Sequence, residues 1–341
     1  MKSFATLAGR SRAEILEEAA QRLHSVPVIV EKDFWVCWLL ERIFGTHHFG
    51  AKVVFKGGTS LSKVFGVIDR FSEDIDLCLP PSLLGAEERD LDEVPNPTQR
   101  AKRMKRLQED CARAVEREFR AELEASVRGR LGDPKGRASW LEYRFDAATG
   151  SPLILFDYPG AVARTGGYIA QQVKVEIGSL TDQRPTGRHV VEALIARAAP
   201  GAFDDLRAEV MALEIERTFW EKATILHAEH HRPADKPMRD RFARHYADFA
   251  ALWRHPAGRR AAAQLDLLAR VRLHKQRFFA SAWASYETAV PGSLRLAPPE
   301  SRRDELARDY RAMAPMFLTS PLPFGEVSDT LREAEQELNG G

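Results

Sequence analysis

The sequence predicts an α+β fold: a sheet with flanking helices in the N-terminal part, followed by a helical C-terminal domain. Three observations predict it. The 25 residues from Val53 to Leu77 run from a short apolar segment through Gly57-Gly58 into a helix-like stretch, and end in Asp74-Ile75-Asp76-Leu77, where carboxylates alternate with aliphatics. Further on, Leu141, Tyr143 and Phe145 alternate with polar partners, Thr149-Gly150 turns the chain, and Leu153 to Phe156 alternates back; Val173, Val175 and Ile177 then line one face of another segment. A period of two is the mark of strands, and the first pair reads as a hairpin. From about Phe203 the composition turns helical, which places the domain boundary in the Ala198-Ala199-Pro200-Gly201 linker, with residues 1–200 before it and 201–341 after it.

A length of 341 residues with 44% apolar content is enough for two cores. Cys37, Cys78 and Cys111 are odd in number and widely spaced. They form neither a disulfide framework nor a metal knuckle, which points to a reducing compartment. No stretch approaches about 18 consecutive apolar residues and the N-terminus lacks a signal-peptide pattern, so a cytoplasmic protein without membrane association is expected. Fifty basic and 49 acidic residues leave a formal charge of +1, which neither requires nor excludes nucleic acid. The basic residues gather at 100–130, 232–244 and 254–277, as solvated helix faces or as candidate RNA contacts.

Taken in order, Ser11 reads as the N-cap of the amphipathic helix SRAEILEEAAQRLHS. A second, very apolar helix opens at Val30 and runs to about Phe44, carrying Lys32 near its start. The Val53–Leu77 stretch carries the chemistry. In a strand, Asp74 and Asp76 fall on one face and Ile75 and Leu77 on the other. Two negative charges about 4 Å apart repel by about 4 kcal/mol at an effective dielectric near 20. A bound cation removes that cost, and hard oxygen donors favour Mg²⁺ shared with substrate phosphates. Gly57-Gly58-Thr59-Ser60 lets the backbone approach a phosphate closely and presents amide donors to it; Lys63, at the end of the same segment, joins that nucleotide-binding set. The plain alternative is a solvated acidic strand after an ordinary turn.

Pro80-Pro81, the acidic run Glu87 to Glu93 and Pro95-Asn96-Pro97 then make a loop, and 98–129 read as one long charged helix, so that about 80–135 is an insertion. In Gln172–Gly178 the polar face holds Gln172, Lys174 and Glu176. If it joins the aspartate face, Glu176 is a third carboxylate, completing a two-metal clamp or acting as base for an incoming hydroxyl; otherwise Lys174 and Glu176 are an exposed pair on a sheet edge. A helix is expected from about Leu206 to His230. Met211, Ile215, Phe219 and Leu226 form its apolar stripe, and Lys222 falls inside it, about 20° from Ile215. A lysine there either snorkels to water or meets a phosphate or a carboxylate. In Arg239–Phe249 the stripe is Phe242, Tyr246, Phe249 and Trp253, with Asp248 on its flank, paired with Arg244 or Arg241 or turned to a site. His227, His230 and His231 invite a zinc reading, but the glutamate that follows the first histidine in metalloprotease helices is missing, and late histidines suit a helix C-terminus anyway.

Gly57-Gly58-Thr59-Ser60 followed by Asp74-Ile75-Asp76 resembles the GG[TS]…DxD signature of the polymerase-β-like nucleotidyltransferases. The longer string KGGTSLSK…RFSEDIDL resembles the AbiEii/AbiGii branch, the toxin half of a bacterial toxin–antitoxin pair. Val30–Val36 resembles that family's EKDFW-type motif, which brings Lys32 forward. Lys222 stands where the family keeps a lysine. Arg239–Phe249 resembles its RDxYDL motif, with Asp248 matching and His245 where an aspartate is frequent. HKQRFF, PGSLRL and DYRAM resemble its C-terminal landmarks, so the likeness extends over nearly the whole chain. It implies a polymerase-β-like sheet, a helical second domain and an active site in the cleft between them. It further implies Mg²⁺-dependent transfer of a nucleoside monophosphate from an NTP to an acceptor, foremost tRNA. Asp74, Asp76, Lys222, Asp248 and Glu176 would be catalytic, and an AbiEi-like antitoxin would be the partner. A protein acceptor, or a non-catalytic nucleotide sensor, is the alternative.

Overall fold

The computed structural model describes residues 1–86, 96–147, 149–163, 170–203 and 205–340. The acidic run Glu87 to Glu93 and the first proline of Pro95-Asn96-Pro97 lie outside the described residues. By its internal contacts the chain divides into two units: Met1–Val64 with Phe71–Ala212, and Phe65–Arg70 with Leu213–Gly341. The division falls later than the Ala198–Gly201 linker because the chain adds one more strand to the first unit before leaving it.

The first unit opens with α1 (Lys2–Ala5), α2 (Gly9–Arg22) and α3 (Pro27–Phe44). The expected start of α2 at Ser11 is corrected: Ala8 is its N-cap, and Ser11 lies inside the first turn. Pro27 starts α3 with a backbone angle already suited to a helix. Then come β1 (Val54–Lys56), α4 (Gly57–Lys63) and β2 (Asp74–Cys78). The long charged helix is α5 (Pro97–Ala114) and α6 (Arg120–Leu131) joined through a π-helical turn, Val115–Phe119. The hairpin is β3 (Leu141–Asp146) with β4 (Ser151–Phe156), and β5 (Val173–Gly178) follows. Next are β6 (Thr186–Glu192), the short α7 (Leu194–Ala198) and β7 (Arg207–Leu213).

The strands make one sheet in the order β3-β4-β5-β2-β1-β7-β6. β5 is therefore interior and not an edge; it pairs in parallel with β2 and antiparallel with β4. Because side chains alternate along strands, register sorts the faces. Phe55, Leu77 and Ile177 share one row, and Ile75, Val175 and Ile154 another. All six are buried in one apolar cluster with Phe34, Trp35 and Trp38 of α3. Trp38 stacks on Phe156 at 5.7 Å between ring centroids. The opposite face carries the polar residues.

β7 corrects the expectation of a helix from Leu206. Met211 lies on a strand, whose neighbour Ala212 pairs with Phe55, and the helix begins only at Ile215. Ala208, Val210 and Ala212 are buried in alternation, a period-two pattern that short residues make easy to read as helical.

The second unit is helical. α8 (Ile215–His230) packs with α9 (Ala243–Arg254), α10 (Pro256–Ala262) and α11 (Leu265–Phe278), and α12 (Arg303–Ala312) and α13 (Phe324–Leu338) follow. Phe219 of α8 meets Phe249 of α9 at 4.9 Å between ring centroids, and Trp220 donates its indole N–H to the Ala261 carbonyl. Phe65–Arg70 joins this unit through a bridge between Arg70 and Phe317 and the bond from Leu318 N–H to the Asp69 carbonyl. Among the described residues no helix is long and apolar enough to cross a membrane.

Candidate active site

The polar face of the first unit's sheet follows from register. Lys56 pairs with Asp76, and Asp76 with Glu176, so these three side chains lie in one row across β1, β2 and β5. One step along, Asp74 pairs with Lys174. Adjacent strands are about 5 Å apart, which makes the row a patch of neighbouring charges. The three carboxylates expected to meet thus do share one face. They are half-buried, while Ile75, Leu77, Val175 and Ile177 beneath them are fully buried. The Lys174 ammonium is 2.8 Å from Asp74 Oδ2. Burial lowers the affinity of Lys174 for its proton, but Asp74 more than offsets this and the balance is upward. Burial, and then the charge of Asp76, raise the Glu176 carboxyl above the usual carboxylate range, against the pull of Lys56 and Lys174.

Gly57 links the turn to this row. Its φ is +83°, a left-handed conformation that costs an L-residue about 1–2 kcal/mol. A Cβ at that position would lie 2.1 Å from Asp76 Oδ2. The Asp76 carboxylate therefore occupies the space that a side chain would take, beside the Gly57-Gly58 backbone. The neighbouring hydroxyls shape the turn. Ser60 donates to the Gly57 carbonyl at 2.9 Å. Thr59 bonds to the Asp74 carbonyl and, at 2.8 Å, to the Ser72 hydroxyl, tying α4 to the start of β2. Both side chains are fully buried, so any contact of Thr59 or Ser60 with a phosphate falls to the backbone. Lys63 needs a correction. Its side chain is 8% exposed and its ammonium is paired with Asp33 of α3, which satisfies its charge inside the protein.

That pair belongs to a set of which the sequence singled out only Lys32. Glu31, Lys32 and Asp33 are consecutive charged residues of α3, all buried, each holding a different element. Glu31 accepts the amides of Ala161 and Val162. Lys32 bonds Glu73 at 2.6 Å and the Ala170 carbonyl at 2.8 Å. Asp33 accepts the Leu194 amide at 2.7 Å and pairs with Lys63. Lys32 is thus neither a surface nor a capping lysine; it anchors the residue before Asp74. The signal was present: three consecutive charges in a helix whose only other charged residues are Glu41 and Arg42 near its end, where a solvated face would have spaced them.

The second unit holds its own constellation. Asp248 is buried and accepts from Arg70 Nε at 2.8 Å, from Arg70 Nη2 at 2.9 Å and from Lys222 Nζ at 2.6 Å. Of the alternatives for Lys222, the carboxylate is the partner found. The expectation that Asp248 pairs with Arg244 or Arg241 is replaced by Arg70, missed because it lies far away in sequence. Burial pushes the Asp248 carboxyl up, and the Arg70 and Lys222 charges overrule it, holding it far below the usual carboxylate range. Burial dominates at Lys222 and lowers it, against the attraction of Asp248. His245 Nδ1 lies 3.2 Å from Lys222 Nζ; burial and then the Lys222 charge keep the ring neutral. At the end of α8, His227, His230 and His231 each bond to a backbone carbonyl, those of Ser285, Ala297 and His227.

Among the described residues no three His, Cys, Asp or Glu side chains converge to hold a metal ion; Asp74 is engaged with Lys174 instead. The donor set of the sheet face still suits a hard divalent cation, since Mg²⁺ ordinarily takes one or two protein carboxylates and completes its shell with water and substrate phosphates. Asp74 and Asp76 supply those carboxylates, with Glu176 as neighbour, and Asp76 lies against the Gly57 backbone. Two carboxylates, a close-approach backbone and a third carboxylate of raised proton affinity are what phosphoryl or nucleotidyl transfer needs, since such reactions rest on positioning and charge neutralisation.

Residues 38–334 match the family model described as nucleotidyl transferase AbiEii toxin, type IV toxin–antitoxin system. A comparison with curated proteins found no match. Among solved structures, the chain is similar to MenT4, a nucleotidyltransferase toxin of Mycobacterium tuberculosis H37Rv, at 15% identity over 92% of this chain and 99% of that one, with a TM-score of 0.31.

Proposed function

The chain belongs to the AbiEii family of nucleotidyltransferase toxins of type IV toxin–antitoxin systems, and from that premise we propose that it transfers a nucleoside monophosphate from an NTP to a cellular acceptor, with tRNA as the foremost candidate. One observation carries the reading: the Asp76 carboxylate fills the space over Gly57, in the same row as Glu176. Asp74 and Asp76 would hold Mg²⁺, and the backbone of Gly57 to Ser60 would face the triphosphate. When bound, the cation would neutralise charge on the triphosphate and the departing pyrophosphate.

This chain's residues do the rest. The acceptor hydroxyl gives its proton to Glu176, whose raised proton affinity suits a base. The new bond forms from that oxygen to the α-phosphorus, and the bond from the α-phosphorus to the bridging oxygen breaks, releasing pyrophosphate. Thr59 and Ser60 hold the turn, and Lys32 holds Glu73 beside Asp74. Lys222 and Asp248 take part by resemblance, as a charge-satisfied pair within the second unit. Family membership supports an antitoxin partner, for which an AbiEi-like protein is proposed; a cytoplasmic location is proposed with it.

The test incubates the chain with Mg²⁺ and each α-labelled NTP, against total tRNA and total protein separately. Label moving to tRNA in the wild type and lost in Asp76→Ala supports the proposal. Label on protein alone would replace the acceptor, and NTP binding without any transfer would leave only a sensor.

A further inference from the structure

We propose that the first unit carries a second anion site, separate from the carboxylate face, which takes a small phosphate-bearing anion. The site is a cavity of about 510 Å³, within the roughly 300–1,000 Å³ usual for small-molecule pockets. Residues of α1 and α2, the end of α6 and the stretch leading into β3 line it, and none of Gly57 to Ser60, Asp74, Asp76 or Glu176 does.

Its walls have a surplus of positive charge. Four cations, Arg12, Arg130, Lys135 and Arg137, face one carboxylate, Asp133. Asp133 is already paired with Arg128, which does not line the cavity, and Arg137 is held by Asp157 at 2.7 Å. Among the described residues neither Arg130 nor Lys135 makes an ion pair. Arg130 also lies close enough to Arg42 to repel its charge.

Arg12 is the built part of the site. It is 6% exposed, and its guanidinium donates only to the carbonyls of Ala5, at 2.8 Å, and Pro159, at 2.5 Å; its Nε has no hydrogen-bond partner. Glu31, whose charge acts on Arg12, is itself occupied by the amides of Ala161 and Val162. A buried cation held by two carbonyls and the Trp35 ring, with no carboxylate hydrogen-bonded to it, bears a desolvation cost that an anion in the cavity relieves. Arginine is also the residue whose planar fork best matches a phosphate. The chemistry favours charge over a base: the Trp140 ring is buried and covered by the Arg137 guanidinium at 5.0 Å, so it offers no open face for stacking.

Calorimetric titration of the full chain with inorganic pyrophosphate, in EDTA and at low salt, tests this. Saturable binding is expected, retained in the Asp74→Ala/Asp76→Ala chain. It should weaken at least tenfold in Arg130→Glu/Lys135→Glu, whose positions are exposed and whose unliganded melting temperature should match the wild type. Arg12→Gln is the buried counterpart, kept in reserve should it fold. Absence of saturable binding, loss of binding only with Asp74 and Asp76, or unchanged affinity in Arg130→Glu/Lys135→Glu overturns the proposal. So does a loss of nucleotide transfer in Arg130→Glu/Lys135→Glu assayed without pyrophosphate, because the cavity would then belong to the transfer site.

Discussion

Gly57→Ala separates the two demands made on that glycine. The backbone demand is conformational: φ of +83° costs alanine about 1–2 kcal/mol, offset by about 0.4–1 kcal/mol because alanine stiffens the unfolded chain. The spatial demand is specific. The new Cβ would lie 2.1 Å from Asp76 Oδ2, 2.9 Å from its Cγ and 3.1 Å from its Cβ, against a normal closest approach of about 3 Å or more. All three atoms belong to one side chain, so the contact is relieved by moving the Asp76 carboxylate by about 1 Å, a displacement that costs on the order of a hundredfold at a reacting centre. Gly85→Ala is the matched control: its φ is +70°, and a Cβ there meets nothing within 4 Å. The assay pairs urea unfolding with initial rates of label transfer. Both variants are expected to lose about 1 kcal/mol of stability, and only Gly57→Ala to lose about two orders of magnitude in rate. Full transfer by Gly57→Ala, or an equal loss in Gly85→Ala, would refute the assignment of Asp76 to the reacting centre.

Lys174→Ala removes the ammonium paired with Asp74; the Mg²⁺ concentration for half-maximal transfer is expected to fall severalfold, and a rise would count against Asp74 as a ligand. Asp248→Asn removes the negative charge that the buried Arg70 and Lys222 share and is expected to cost about 3–5 kcal/mol in urea unfolding, whereas a loss under about 1 kcal/mol, the range of an exposed pair, would refute the buried triad. His227 donates through Nε2 to the Ser285 carbonyl, while Nδ1 accepts the Arg295 amide, and burial lowers its affinity for a proton to a pKa of about 4. Its unfolded value is near 6.5, so the unfolded chain binds more protons between pH 6.5 and 4. Stability is therefore full above about pH 6.5 and lost as pH falls towards 4, by at most about 3 kcal/mol before solvent screening is allowed for. His227→Asn should flatten that slope relative to the wild type, and parallel pH profiles would sink the argument.

The sequence made the carboxylate face legible because its signal is local: period two placed Asp74 with Asp76 and isolated Glu176, and Gly57-Gly58 marked the turn into a helix. Register was not legible, since it depends on strand order, and only the parallel pairing of β2 with β5 sets Asp76 beside Glu176. β7 was misread because Ala208, Val210 and Ala212 run directly into the true helix at Ile215. The fate of single charges was hidden for the same reason. Lys63, Lys32 and Lys222 all look like phosphate-seeking lysines in sequence, yet each has a carboxylate supplied from a distant stretch: Asp33, Glu73 and Asp248. Spacing along one helix cannot reveal a partner brought by the fold.

Those pairings bear on how the site binds its substrate. The sheet face sets Asp74, Asp76 and Glu176 against Lys56 and Lys174, three negative charges against two positive. The lysines relieve most of the repulsion, so the face folds without a cation. The same lysines compete with one: to reach Asp74 a divalent ion must displace Lys174, and the single surplus charge gives it little electrostatic gain in return. A triphosphate changes the balance, because it brings oxygen ligands to the ion and anionic oxygens to the released lysine. Tight cation binding is therefore expected only together with the nucleotide, and calorimetry with Mg²⁺ alone should show affinity far weaker than with Mg²⁺ and a non-hydrolysable NTP. Equal affinity in both titrations would mean that the lysines do not guard the carboxylates.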